Sequence, residues 1–304
     1  MRLVTFAADA LSAARVGLIA ADGDIVDIGA SASRAGMTLP FDATDMVSLI
    51  AAGETARDVV LRLSAMSSAV RLPETGVRLL APIPRPRKNV FCVGWNYLEH
   101  FEEGEAVRKS GDDLPKHPVF FSKAVTAVIG PFDSIPFDAR VSAKLDWEVE
   151  LGVVIGRSGR NIDQADAMDH VFGYTVIDDV SARDLQRQHG GQWLKGKSLD
   201  GTCPMGPCIV TRDELDAGNL RLVTRVNGVV KQDSRTRHMY FSLPRLIEEL
   251  SLGLTLEPGD VLSTGTPQGV GFARNPPEFL APGDIVESEI EGIGCLRNPV
   301  VAAG

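Results

Sequence analysis

The chain lacks several features that would each point to a class of protein. No apolar run approaches the ~18 residues a membrane span needs, and Asp9 and Arg15 interrupt the apolar start, which argues against a secretory signal. There is no excess of positive charge: 31 Lys and Arg face 40 Asp and Glu, a net charge of −9. A nucleic-acid or anionic-membrane partner is therefore not expected. No GxGxxG element occurs, so dinucleotide binding has no motif. Cysteine is scarce. Cys92, Cys203, Cys208 and Cys295 form no CxxC pair, which excludes a zinc ribbon or redox motif and fits reduced thiols in a cytoplasmic protein.

What is present is a chain of 304 residues, 44% hydrophobic and 23% charged, ordinary for a globular enzyme of one large or two smaller domains. Residues 1–30 alternate in character around the turn "AADGD", Ala20–Asp24, as a small β-hairpin does. Residues 43–70 are Ala-rich with helical spacing, and "APIPRPRKN", residues 81–89, reads as an extended connector. Beyond it, short apolar runs recur between Gly- and Pro-rich turns: Val90–Val93, Val119–Phe121, Val149–Ile155, Phe172–Ile177, Pro207–Val210 and Leu220–Val226. "NG" at Asn227–Gly228 predicts a hairpin turn, and helical spacing is confined to Leu98–Lys109, Ala182–His189 and Leu243–Leu250. The pattern predicts an α+β fold: a small N-terminal α/β domain over residues 1–80 and a strand-dominated catalytic domain over 85–304.

One strand carries an anomaly. "KLDWEVELGVVIG", residues 144–156, is apolar enough for a sheet interior, yet Glu148 and Glu150 sit two apart within it. Positions i and i+2 share a face, about 6.6 Å apart along the strand. The face can be solvated, the acids can be salt-bridged, or a cation can lie between them; a buried, uncompensated pair would cost several kcal/mol per charge. A second acidic feature, Asp178–Asp179, ends the apolar strand in "YTVIDDVSARDLQ" just before a predicted helix, with Ser181 as its N-cap and Asp184 at N3. Carboxylates alone select a hard divalent cation such as Mg²⁺, Mn²⁺ or Ca²⁺ and leave positions for water and substrate.

Further groups could serve chemistry near such an ion. In "NYLEHFEE", His100 and Glu103 stand at i and i+3 of a predicted helix, so the carboxylate can orient the imidazole; a plain surface pair reads the same way. Lys123 and Lys197 lie beside Gly-rich turns and could steady an oxyanion, or be solvated. The loop "LSTGTPQGVG", residues 262–271, offers N–H groups and hydroxyls to a carboxylate, or is an ordinary tight turn.

Six segments in order, "FCVGWNYLEHFEE", "PVFFSKAVTAVIGP", "LDWEVELGVVIGR", "GYTVIDDVSARDLQ", "KGKSLDGTCPMGP" and "LEPGDVLSTGTPQGVG", resemble the fumarylacetoacetate hydrolase superfamily, its acylpyruvase and 2-hydroxyhepta-2,4-diene-1,7-dioate isomerase-like members. The resemblance implies a mixed β-roll catalytic domain, a homodimer, and one Mg²⁺ or Mn²⁺ per subunit held by Glu148, Glu150 and Asp179. It implies a His100–Glu103 dyad that activates water or moves a proton, and Lys197 as the stabiliser of an oxyanion or enolate. Lys123, Arg183, Gln186 and Thr266 match substrate-pocket positions. Trp95, "SLDGTCP" and the lid-like "QHGGQW", residues 188–193, depart from common forms around the pocket. The expected reaction is metal-dependent hydrolysis of a C–C bond in an acylpyruvate-type 2,4-dioxo acid. The alternatives on the same site are decarboxylation of a 2-oxo diacid and 2-hydroxydienoate isomerisation.

Overall fold

The computed structural model describes residues 1–8, 12–104 and 114–303. The recurring apolar runs form strands, because alternating β-branched residues fill a pleated surface. Ten of them make one continuous path: Arg71–Leu72, Ile25–Asp27, Arg15–Ile19, Arg2–Ala7, Cys203–Thr211, Val171–Asp178, Val149–Ile155, Val261–Ser263, Val90–Gly94 and Val119–Lys123. The predicted N-terminal hairpin is present as Arg15–Ile19 against Ile25–Asp27. Arg2–Ala7 hydrogen-bonds to Cys203–Thr211, so the N-terminal strands extend the sheet that carries the acidic strand. A second, five-stranded sheet runs Val229–Arg235, Arg221–Val226, Ile285–Ile290, Gly294–Ala302 and Ile135–Phe137. Its first pair turns at Asn227 and Gly228, with φ of 53° and 77°, the left-handed pair a two-residue hairpin needs.

The Ala-rich stretch forms two helices, Met46–Ala51 and Gly53–Ala65, parted at Gly53 (φ 57°). They bury Met46, Leu49, Ile50, Val60 and Leu63 against one side of the main sheet, in a cluster that includes Val154 and Ile177. The other side is covered by a cluster holding Val149, Leu151, Val153, Leu246 and Ile247, the last two from the helix Leu243–Ser251. Both faces of strand Val149–Ile155 are therefore enclosed, each buried aliphatic side chain contributing about 1.5–3 kcal/mol. No helix among the described residues is long and apolar enough to cross a membrane.

Two local expectations change. The helix after Asp179 spans Arg183–Gln188, and Ser181 does not cap it. Ser181–Ala182 instead pairs as a short strand with Leu145–Asp146, and the Ser181 hydroxyl donates to the Asp179 carbonyl. Asp184 accepts from the Ser142 hydroxyl at 2.7 Å. The bridge uses the backbone of 181–182, so the helix starts later. Of the predicted helix Leu98–Lys109, Leu98–Glu103 is helical; residues 105–109 lie outside the described residues.

Candidate active site

Val171–Asp178 and Val149–Ile155 are antiparallel neighbours with Asp178 opposite Val149. The end of one and the start of the other thus share an edge, and Asp179, Glu148 and Glu150 meet there. One carboxylate oxygen from each lies within 4.8 Å of the others. A solvated strand face is ruled out: Glu148, Glu150 and Asp179 are 4%, 1% and 0% exposed. The sequence singled out both Asp178 and Asp179, and their roles diverge. Asp178 accepts from the Glu148 N–H at 2.9 Å and the Ser288 hydroxyl at 3.1 Å, holding the two strand ends together. Burial raises its carboxyl to about 6.

Cations surround two of the three acids. Lys197 Nζ donates to Glu148 Oε2 at 2.6 Å and Asp179 Oδ2 at 2.7 Å. Arg183 Nη2 lies 2.6 Å from Glu148 Oε1, and Lys123 Nζ 2.8 Å from Asp179 Oδ1. In these last two contacts the charges touch without hydrogen-bond alignment, so Asp179 Oδ1 and Arg183 Nη2 are buried atoms lacking a hydrogen bond. Burial alone would raise the Glu148 carboxyl, but Lys197 and then Arg183 outweigh it and hold the group below the usual range. Among the described residues, no cation pairs with Glu150. Burial first, then the charges of Asp179 and Glu148, push it well above an ordinary carboxyl. Its hydrogen bonds, from the Ser263 hydroxyl at 2.6 Å and the Gly265 N–H at 2.8 Å, both go to Oε2.

This arrangement fits a divalent cation. The donor set is oxygen only, one acid lacks a counter-charge, and one oxygen lacks a hydrogen bond. Hard cations bind oxygens at about 2.0–2.6 Å, so ligand oxygens around one ion lie within about twice that distance of each other, as these three do. Mn²⁺ or Mg²⁺ at saturation is expected to raise the melting temperature of EDTA-stripped protein by on the order of 5 °C, since binding to the native state alone at 100 times Kd stabilises by about 2.7 kcal/mol. Identical differential scanning fluorimetry curves with EDTA and with millimolar Mn²⁺ would remove the ion from the site.

The triad opens onto a cavity of about 700 Å³ lined by His100, Glu148, Glu150, Arg183, Gln186, Lys197 and Thr266, together with aromatic residues. His100 comes from the helix Leu98–Glu103 and is 8% exposed. Its Nδ1 lies 2.8 Å from Glu103 Oε1, and Glu103 Oε2 accepts from the Gly269 N–H at 2.8 Å. A carboxylate can only accept, so Nδ1 carries the proton and Nε2 is the basic nitrogen of the neutral ring. Thr266 lies in the wall with its hydroxyl bonded to the Val149 carbonyl and to Gln232. Lys123 is placed differently from the rest. It is fully buried behind Asp179, also donates to the Val180 carbonyl at 3.1 Å, and does not line the cavity.

One group escaped the reading of the sequence, and another was noted only as part of a departing stretch. Asp146 accepts from Arg183 Nε at 2.8 Å and from the N–H groups of Gly271 at 2.6 Å and Phe272 at 3.0 Å, tying the arginine to the Gly/Thr loop. It stands two residues before Glu148, in phase with the pair, and that spacing was its signal. Trp193, the last residue of the "QHGGQW" stretch, meets the Trp95 and Phe121 rings edge-on at 5.1 and 5.2 Å. A Cβ on Gly94 would lie 2.3 Å from the Trp193 ring, so that glycine leaves the notch in which the indole sits. Trp95 itself holds φ at 56°. The two aromatic positions that depart from the common pattern thus form one wall of the cavity.

Comparison with known proteins places the chain in a family. The family described as fumarylacetoacetate (FAA) hydrolase, C-terminal, matches residues 89–301. The chain is 45% identical over 304 residues to bovine (Bos taurus) mitochondrial oxaloacetate tautomerase FAHD2A, covering 99% of this chain and 92% of the relative. Among solved structures, fumarylacetoacetate hydrolase from Exiguobacterium antarcticum is 40% identical with a TM-score of 0.83 and full coverage of both chains. Maleylpyruvate hydrolase from Sphingobium sp. SYK-6, in complex with manganese(II) and pyruvate, is 28% identical with a TM-score of 0.78, again with full coverage of both.

Proposed function

Because this chain belongs to the fumarylacetoacetate hydrolase family, we propose that it is a metal-dependent tautomerase of a 2-oxo dicarboxylic acid, oxaloacetate in the first instance. The observation that carries the reading is identity of 45% with an oxaloacetate tautomerase along 99% of the chain. The site supports it, since keto–enol exchange needs one base that can both take and return a proton beside a positive field.

A divalent ion, Mg²⁺ or Mn²⁺, held by Glu148, Glu150 and Asp179 supplies Lewis acidity that makes the C3 hydrogen of a 2-oxo acid more acidic. His100 Nε2 takes that proton. Glu103, fixed by the Gly269 N–H, keeps Nδ1 protonated and steadies the imidazolium that results. Nε2 then delivers the proton to the C2 oxygen, which yields the enol and returns His100 to its starting state. Lys197 stays charged throughout: burial opposes its proton, but Asp179 and Glu148 raise its affinity above that of a free lysine. Its ammonium lowers the energy of negative charge developing on the substrate oxygen. Gln186 and Thr266 line the space where the carbon skeleton lies. The reading retains the expected homodimer and a cytoplasmic location.

A second reading, C–C hydrolysis of an acylpyruvate, has its own support. The cavity of about 700 Å³ is much larger than oxaloacetate, and a 28% identical fold neighbour is a maleylpyruvate hydrolase. In that reaction His100 would deprotonate water rather than C3. Both are tested by one panel in Mn²⁺: ultraviolet decay of enol-oxaloacetate, and loss of the enol absorbance of acetylpyruvate or maleylpyruvate. Accelerated oxaloacetate exchange that His100→Ala lowers about a hundredfold or more is expected. Turnover of the acylpyruvates with no effect on oxaloacetate would replace the first reading by the second.

A further inference from the structure

Four cationic or basic side chains line the cavity: His100, Arg183, Arg187 and Lys197. Three are engaged by carboxylates, His100 with Glu103, Arg183 with Asp146 and Glu148, and Lys197 with Glu148 and Asp179. Arg187 has no carboxylate partner among the described residues. Its guanidinium carbon lies 5.4 Å from the centroid of the Phe272 ring, which also carries Arg183 at 4.4 Å. Two guanidinium groups thus share one aromatic ring, and among the described residues only Arg183 has acid partners. Arg187 is therefore the cation of this wall that an anionic group of a ligand can pair with.

The spacing is informative. Arg183 and Arg187 are i and i+4 on the helix Arg183–Gln188, so their Cβ atoms stand about 6 Å apart. Arg183 reaches the carboxylate triad at Glu148. Arg187 is therefore one helical turn further along the wall, a separation that a four-carbon diacid spans when its 2-oxo acid head lies at the triad. We propose that Arg187 binds the distal carboxylate of the substrate, so that the cavity selects 2-oxo acids bearing a second anionic group. This rests on the reading that the triad end holds the 2-oxo acid head, and it adds the residue that distinguishes a diacid from a monoacid.

The test is binding of two C4 probes to the full chain in Mn²⁺ by calorimetry: malate, and 2-hydroxybutanoate, which carries a methyl where malate has its second carboxylate. Wild type is expected to bind malate about tenfold tighter or more, the contribution of one charge-assisted contact. Arg187→Met and Arg187→Gln abolish that preference and leave the 2-hydroxybutanoate Kd within about twofold, while Arg187→Lys keeps part of it. Arg187 is exposed on its helix, and unchanged melting temperatures verify that the variants fold. A wild type without the preference, or a preference that survives Arg187→Met, overturns the assignment. Failure of the tautomerase reading shows separately, as a wild type that prefers malate but does not accelerate oxaloacetate exchange.

Discussion

Glu150→Gln is expected to lower turnover by about a thousandfold or more, because a metal-assisted step loses several kcal/mol with its ion, and to leave the metal-free fold intact. The two effects separate for a physical reason. Burial, Asp179 and Glu148 raise the Glu150 carboxyl well above 4.5, so without a metal the folded protein holds this proton more tightly than the unfolded chain does. A raised native pKa contributes stability at low pH that is lost as pH rises through the native value. A glutamine carries no such loss, and its amide oxygen can still accept from Ser263 and Gly265. Metal-free Glu150→Gln should therefore melt with wild type at acid pH and above it once the pH exceeds the native value. It should gain no stability from Mn²⁺. A variant that keeps its Mn²⁺-induced shift would show that Glu150 is no ligand, and a metal-free form that melts several degrees lower would overturn the buried-proton account.

The opposite pattern is expected at Asp179, where removing the charge strands Lys123 and leaves Lys197 with Glu148 alone. Lys123 and Lys197 both rest on this carboxylate, at 2.8 and 2.7 Å, and all three side chains are buried. Breaking a buried pair by neutralising one partner costs about 3–5 kcal/mol, more than the pair itself contributes relative to apolar packing. Asp179→Asn should thus lower the metal-free melting temperature by about 10 °C or more. The double variant Asp179→Asn with Lys123→Met should recover much of it, since the fully buried ammonium is then gone. A loss below about 1 kcal/mol in metal-free denaturant melts, with no recovery in the double variant, would sink this account.

The strands were legible because their cause is local. Val149–Ile155, Val171–Asp178 and the Asn227–Gly228 hairpin follow from alternation and turn chemistry, which adjacent residues alone dictate. The start of the helix Arg183–Gln188 was not legible, since Ser181–Ala182 takes a strand partner 35 residues away, Asp146 against Ser181. Asp146 was within reach: Asp146, Glu148 and Glu150 form one run of alternate acids, of which only two stood out against the apolar background.

By itself, then, the sequence determined that three acids, a His–Glu pair and several cations occur in positions suited to an oxygen-ligated ion, and that the fold is mixed with strands predominant. Spacing along one strand or helix carries that information, because periods of two and 3.6 residues are properties of the backbone. Which charge neutralises which was decided only by tertiary structure. Lys123 faces Asp179 instead of the cavity, Arg183 is shared by Asp146 and Glu148, and Arg187 is left without an acid among the described residues. Such pairings depend on Coulomb and desolvation energies over a few ångströms between segments far apart in the chain, which no local period records.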